Sequence, residues 1–127
     1  DALAVDAAIE RLLALGLLDD AAYARQLARS RMLGQGASRR RVQQEMFKHG
    51  IGREQADEAI EATVADESLD EEAIVERVAR KKVQSLSGLD PVTRNRRLWS
   101  FLARRGYAVD DIRRVVARVV AETNTDE

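Results

Sequence analysis

The sequence predicts an all-α protein in which tandem three-helix repeats form an elongated, curved array. Apolar residues recur at three- and four-residue intervals along most of the chain, which is the spacing of one helix face. No useful stretch alternates apolar and polar residues as a strand would. Capping residues and apolar positions also recur about 50 residues apart. With 127 residues, 45% of them hydrophobic, the chain can bury a core.

The predicted helices are bounded by capping residues and glycines. Asp19 or Asp20 can cap a helix that runs to about Leu33, where we expect Gly34 to be left-handed and Gly36 to allow a sharp turn. Ser38 is predicted to begin a helix that ends at His49 and Gly50, and Gly52 precedes a helix over 53–65. Asp70 precedes a helix over 71–86, and Asp90 with Pro91 begins one over 91–105 that Gly106 ends. Asp110 lies at the start of the last helix.

Each predicted helix has one apolar stripe that should face the core. The inward positions are predicted to be Val5, Ile9, Leu12 and Leu13; Val42, Met46 and Phe47; Ala56, Ala59, Ile60 and Val64; Val75, Val78, Ala79, Val83 and Leu86; and Val109, Ile112, Val115, Val116, Val119 and Val120. The aromatic residues are predicted to serve the core rather than to stack on nucleic-acid bases; they are Tyr23, Phe47, Trp99, Phe101 and Tyr107.

An internal repeat relates the two halves of the chain. At an offset of 51 residues, Leu18-Asp19-Asp20 aligns with Leu69-Asp70-Glu71, and Ala28-Arg29 aligns with Ala79-Arg80. At an offset of 56, the aligned pairs are Val42 with Leu98, Met46 with Leu102, and Lys48-His49-Gly50 with Arg104-Arg105-Gly106. We therefore predict one repeat at 18–67, another at 68–123 and a tail at 124–127. Residues 1–17 would be the last helix, from Leu3 to Leu15, of an earlier repeat whose first two helices are absent.

Charge is arranged in blocks of alternating sign. The net charge is -4 over residues 1–24, +7 over 25–53, -10 over 54–76, +8 over 77–106 and -2 over 107–127. Two basic zones are candidate binding surfaces for phosphate or carboxylate groups, with salt-dependent affinity. The first contains Arg25, Arg29, Arg31, Arg39, Arg40, Arg41 and Lys48; the second contains Arg80, Lys81, Lys82, Arg96, Arg97, Arg104 and Arg105, with Arg77 and Arg94 nearby.

Nothing in the sequence indicates an enzyme. The Gly34–Gly36 segment follows a helix and lacks the Gly-Lys-Ser/Thr of a phosphate-binding loop. The chain has no cysteine and a single histidine, His49, so we expect neither a transition-metal site nor another cofactor. It has no apolar run long enough for a membrane span, and the lack of cysteine fits a reducing cytoplasm.

Five segments resemble the RecX family of bacterial regulatory proteins. They are LDDAAYA at 18–24, the Arg31-x-x-Gly-x-Gly segment with its arginine cluster, VQQEMFKHGI at 42–51, ARKK at 79–82 and FLARRGY at 101–107. The likeness covers nearly the whole chain. Two departures are Met46, where a leucine is usual, and the lack of a proline after Gly36.

The resemblance implies tandem three-helix repeats and a non-enzymatic regulator of the RecA recombinase. RecX-like proteins bind in the groove of the RecA–DNA filament and usually inhibit its ATPase and strand-exchange activities. We therefore expect a monomer whose basic zones face acidic RecA surfaces, the DNA backbone or both, with weak binding to single- or double-stranded DNA. The alternative is a stand-alone helical DNA-binding module without affinity for the recombinase.

Overall fold

The computed structural model describes residues 2–14 and 20–126, and the regular elements within these ranges are all helical. They are α1 (Ala2–Ala14), α2 (Asp20–Arg29), a π-helical turn (Ser30–Gly34), α3 (Arg39–Lys48), α4 (Arg53–Asp66), α5 (Glu71–Ser85), α6 (Pro91–Arg104) and α7 (Val109–Asp126). The all-α prediction is confirmed. Within the described ranges, no helix combines the length and the apolar content that a bilayer span requires.

The helices fall into two compact units, one ending at Leu69 and the other beginning at Asp70. In the first unit α2 packs against α4, α3 contacts both, and α1 lies against α2 and the π-helical turn. In the second unit α5 packs against α7, and α6 contacts both. The same three-helix arrangement thus occurs twice, as the tandem-repeat prediction requires. The residue limits predicted for the repeats, including the incomplete first one, stay predictions.

Equivalent positions of the two units are buried to the same degree. Val42 and its counterpart Leu98 are 0% exposed, as are Met46 and its counterpart Leu102. Small residues match as well: Ala28 in α2 and Ala79 in α5 are both fully buried. These are the residue pairs that the 51- and 56-residue offsets align.

Side-chain caps begin three of the helices at the predicted residues. Ser38 Oγ accepts a hydrogen bond from the Arg41 N–H (3.1 Å), and Asp70 accepts one from the Ala73 N–H (3.2 Å). Asp90 accepts from the Thr93 N–H at 3.1 Å, with Pro91 in the first turn, and its hydrogen bonds with Thr93 lower the pKa of the Asp90 carboxyl. Each such cap stabilises a helix by about 1 kcal/mol.

The prediction for Gly34 is wrong, because the left-handed residue is Gly36, with φ of 66°. The π-helical turn continues the helix through Gly34, and the Ala37 N–H donates to the Arg31 carbonyl six residues earlier (2.9 Å). A π turn contains one more residue than an α turn, so the helix ends later than the α-helical spacing suggests.

Three residues predicted to face the core are exposed: Val5, Phe47 and Val109, at 39%, 46% and 58%. Phe47 follows Met46, and a step of about 100° around the helix carries its ring out of the core that Met46 fills. Val109 is the first residue of α7, beyond the buried stripe that begins at Ile112. The predictions for the Leu12 and Leu13 side chains, and those on residues 15–19, lie outside the described residues.

An ionic ladder joins α5 to α7 on the surface of the second unit. Glu72 accepts hydrogen bonds from Arg114 (2.5 Å) and Arg118 (3.0 Å), and Arg118 also donates to Glu76 (2.8 Å). Arg80 continues the ladder through a two-pronged contact with Glu122 at 2.5 and 3.0 Å. These contacts lower the pKa of both Glu72 and Glu122.

The turn geometry predicts opposite effects for two alanine substitutions that lie two residues apart. Gly36→Ala should lower the free energy of unfolding by about 1–2 kcal/mol, because a Cβ disfavours the left-handed conformation. Gly34→Ala should be neutral or stabilise by up to about 1 kcal/mol, because Gly34 is helical and open space surrounds the position of its Cβ. Urea denaturation followed by circular dichroism measures both, and a larger loss for Gly34→Ala would contradict this turn geometry.

The ladder predicts acid sensitivity of the second unit. A carboxyl whose pKa is lower in the folded state stabilises the fold above its unfolded-state pKa, near 4.3 for glutamate, and this contribution disappears as the pH falls through the folded-state value. Trp99, the single tryptophan, lies in this unit, so urea denaturation followed by its fluorescence measures the effect. Stability should fall below about pH 4.3, and a Glu72→Gln variant should lose less than the parent. Equal losses would show that the ladder contributes nothing.

Candidate polyanion-binding face

Helices α3 and α6, the middle helices of the two three-helix arrangements, each have a buried apolar side and a solvent-facing basic side. In α3 the burial of Val42 and Met46 turns the opposite side outward, and in α6 Leu98 and Leu102 do the same. The exposed cations on these outer sides, which we call the repeated basic face, are Arg40, Arg41 and Lys48 in α3 and Arg96, Arg97 and Arg104 in α6.

The cations of this face occupy equivalent positions in the two units. Adding the offset of 56 residues to Arg40, Arg41 and Lys48 gives Arg96, Arg97 and Arg104. Within each helix the first and last cations are eight residues apart, which is about 12 Å along the axis. Each unit therefore presents two arginines at one end of a helical ridge and a third cation about two turns further along.

The cations of the repeated basic face form no close ion pair within the described residues. Helix α6 contains four basic residues and no acidic one. The single carboxylate of α3, Glu45, lies four residues after Arg41 and three before Lys48, but both of its oxygens accept hydrogen bonds from Arg31, at 2.7 and 2.8 Å. In the described ranges, none of the six cations forms an ion pair within 4 Å, although the charge of Arg96, after the hydrogen bonds with Thr93, also lowers the pKa of the Asp90 carboxyl. Such a surface attracts polyanions, and its arginines can bind phosphate or carboxylate groups through two parallel hydrogen bonds.

Arg31, another predicted site residue, is used inside the first unit. Its side chain is only 13% exposed, and it bridges Glu45 of α3 and Asp6 of α1, the latter at 2.5 Å. The hydrogen bonds with Glu45, more than those with Asp6, raise the pKa of the Arg31 guanidinium. Arg31 therefore ties α1 and α3 to the π-helical turn.

Four further predicted arginines form ion pairs at the seam between helices of the same unit. Arg25 lies 3.9 Å from Glu58 and Arg29 lies 3.0 Å from Glu67, while Arg39 pairs with Glu61. Arg80 belongs to the α5–α7 ladder, where it contacts Glu122. All four are partly exposed, so an external anion could reach them only by competing with these carboxylates.

The remaining predicted cations lie near the ends of α5 and α6. Lys82 Nζ sits 4.7 Å from the centre of the Phe101 ring, and the Arg105 guanidinium contacts the rings of Phe101 and Tyr107 at 5.6 and 5.8 Å. Arg105 Nε also donates to the Tyr107 hydroxyl at 3.2 Å. Lys81 is exposed beside this cluster in the sequence. Arg94, by contrast, is 3% exposed and belongs to the interior of its unit.

Sequence reasoning grouped fourteen cations as one kind of residue, whereas the structure separates those with internal partners from those without. The signal that could have separated them is rotational position: on a helical wheel, Arg40, Arg41 and Lys48 lie opposite the Val42–Met46 stripe. The same wheel places Phe47 next to Arg40, at the edge of the basic side. Phe47 is therefore the residue of this face that the sequence-based prediction missed.

The arrangement is suited to binding anions. Among the described residues, no group of three or more histidines, cysteines or carboxylates could hold a metal ion. The face itself consists of arginine and lysine, whose side chains act as hydrogen-bond donors.

Comparisons with known proteins agree with the repeat structure. The model of the second three-helix domain of RecX matches residues 19–60, and that of the third three-helix domain matches residues 70–116. The regulatory protein RecX of Streptomyces coelicolor is 33% identical over 97% of this chain and 64% of its own length. The RecX of Amycolatopsis mediterranei is 39% identical over 72% of this chain and 51% of its own length.

A third relative, the RecX of Thermobifida fusca, is 30% identical over 82% of this chain and 55% of its own length. The chain thus spans less than two thirds of the length of these relatives. No solved structure matches it. Because two consecutive RecX domain models and several RecX proteins match, the chain belongs to the RecX family of bacterial regulatory proteins.

Proposed function

We propose that the chain inhibits the RecA recombinase by binding in the groove of the RecA–DNA filament. The observation that carries this proposal is the repeated basic face, present at equivalent positions of two units in a member of a regulatory family. A filament offers a matching target, since its DNA backbone and its protein subunits repeat at regular intervals.

The repeated basic face binds the polyanionic components of the filament. Arginine forks suit both the phosphates of DNA and the carboxylates of an acidic protein surface, so each unit can hold either one. A chain that engages the filament through two units gains affinity from both, because the first contact raises the effective concentration of the second. It therefore persists in the groove and slows ATP hydrolysis and strand exchange without catalysing a reaction.

The predicted cations divide into two roles in this proposal. The six cations of the repeated basic face make the primary contacts. The arginines paired at helix seams, such as Arg29 and Arg80, together with Arg31, hold the helices that present the face. Regulation of this kind takes place in the cytoplasm, where recombinase filaments form on damaged DNA, and requires no cofactor.

Charge reversal at the first unit's face should abolish inhibition. With the cognate recombinase, DNA-dependent ATP hydrolysis should fall when the chain is added and should stay high with Arg40→Glu/Arg41→Glu. This double variant leaves Arg39 and its ion pair with Glu61 intact, so loss of activity cannot be assigned to that contact. Reversal replaces attraction by repulsion at two adjacent sites, and we expect at least about a tenfold rise in the concentration needed for half-inhibition, or about 1.4 kcal/mol.

The matched control is Arg53→Glu/Arg113→Glu, which changes the net charge equally at exposed residues outside the face. It should inhibit as the parent does. Circular dichroism should show unchanged helicity in both double variants. Equal inhibition by the parent and by Arg40→Glu/Arg41→Glu would refute the assignment of the face.

A second candidate function is a stand-alone DNA-binding module, which the same basic face favours. The two functions differ in the salt dependence of binding to bare DNA and to DNA-free recombinase. If phosphates are bound, log Kd for DNA should rise steeply with log salt, and Arg96→Gln/Arg97→Gln should reduce the slope by about 1 to 2. Tight DNA binding without any affinity for the recombinase would establish the module and exclude the filament regulator.

A further inference from the structure

The Phe47 ring is a partly exposed aromatic surface at the edge of the basic side of α3. All five aromatic residues lie in the described part of the chain, and Phe47 is the only one classed as exposed, at 46%. Burial of a ring this size removes a large apolar area from water, so exposure of Phe47 leaves a favourable contact unused. Its position is fixed by Met46, which fills the core position next to it.

Three other aromatic rings are engaged within their own units. Tyr23 meets His49 edge-on, with ring centres 5.3 Å apart. Phe101 is covered by Lys82 and Arg105, and Arg105 also contacts Tyr107. For Phe47 no ring or cation contact is found with any residue that the structure describes. The exposed part of the ring is therefore accessible to a ligand.

The surroundings of this ring are cationic and polar. Arg40 and Gln44 lie on the same side of α3 as Phe47, because residues three and seven apart lie along one helix face, and Lys48 follows Phe47 in the sequence. All three are exposed, and the single carboxylate of α3, Glu45, accepts hydrogen bonds from Arg31. A protein partner that offered an apolar pocket for Phe47 would need acidic groups around that pocket. An aromatic ring beside a row of cations instead matches the pairing of flat bases and phosphates in a nucleic acid.

We propose that Phe47 stacks on an unpaired base of a single-stranded nucleic acid, while Arg40, Arg41 and Lys48 hold the adjacent phosphates. The inference rests on the proposed role of the repeated basic face in binding polyanions, and it names the ligand of the first unit's copy. A duplex is disfavoured here, because its bases already stack on one another and hide their faces. Single strands expose these faces and accept aromatic platforms with little regard to sequence.

The second unit provides an internal comparison. The position equivalent to Phe47 is Ala103, which is also exposed, on a helix that keeps the three equivalent cations. Its face can hold phosphates but offers no ring for stacking. In this proposal the two units bind different parts of a single strand: the first binds its bases and backbone, and the second binds its backbone alone.

Fluorescence anisotropy with two labelled oligonucleotides tests the inference. One is a thymidine homopolymer, and the other is an abasic strand with the same number of phosphates. The parent chain should bind the strand with bases more tightly, and Phe47→Ala should weaken that binding by about 5- to 150-fold, the range measured for loss of one stacked base. Binding to the abasic strand should be unchanged. Equal affinity of parent and variant for the thymidine strand would overturn the proposal.

Two further variants sharpen the result. Phe47→Leu keeps an apolar side chain without a ring, so it should behave as Phe47→Ala; parent-like affinity of Phe47→Leu for the thymidine strand would overturn the stacking assignment. Ala103→Phe should strengthen binding to the thymidine strand but not to the abasic one; no such gain would overturn the proposed division between the units. Because both sites are on the surface, circular dichroism should show unchanged helicity.

A parallel measurement separates this inference from the proposed function. If the parent inhibits no recombinase but prefers the strand with bases through Phe47, the inference stands and the filament role fails. If Phe47→Ala weakens binding to DNA-free recombinase and leaves both oligonucleotides unaffected, the ring contacts protein and the inference fails. Inhibition by the parent together with loss of base preference in Phe47→Ala supports both.

Discussion

The functional surface depends on one constraint: helices α3 and α6 each bury two large side chains. Val42 and Met46 in the first unit, and Leu98 and Leu102 in the second, are fully enclosed by the helices before and after them. Each such residue contributes about 1.5–3 kcal/mol by leaving water, so rotation of the helix about its axis would be costly. With the buried side fixed, the rotational position of every other residue follows. The basic side can only face solvent.

Equivalent internal contacts of the two units differ in chemistry, whereas the equivalent outer residues are cations in both. The offsets that align the repeats relate Arg31 to Lys82 and Glu45 to Phe101. In the first unit this pair is a two-pronged ion pair, and in the second it is a lysine over an aromatic ring. Either interaction fastens the end of the first helix to the second helix. Either pair can therefore hold the fold at this position, whereas Arg40, Arg41 and Lys48 and their counterparts form no ion pair within 4 Å among the described residues.

The features that sequence predicted are those with local causes. Caps at Ser38, Asp70 and Asp90 depend on residues three positions away, and the repeat follows from positions buried in both units. The prediction of Gly34 as the left-handed residue is wrong because a π-helical turn adds a residue to the helix, and the spacing of apolar residues carries no local signal of it. Hydrophobicity alone predicts a core position for Phe47. It does not show that the adjacent Met46 already fills that position. The role of Arg31 depends on Asp6, 25 residues away, which no spacing rule connects to it.

The net charge of -1 is a poor guide to what the chain binds, and the geometry explains why. Many acidic residues form ion pairs between neighbouring helices. Glu72, Glu76 and Glu122, for example, lie within 4 Å of arginines across the α5–α7 seam. Opposite charges at that distance cancel for a ligand further away, and salt screens what remains over about 8 Å at physiological strength. A polyanion approaching α3 or α6 therefore meets the local cations and not the average of the molecule. The acidic residues are paired with arginines between helices, whereas the outer cations of α3 and α6 form no close ion pair. A nearly neutral protein can therefore have two strongly basic faces.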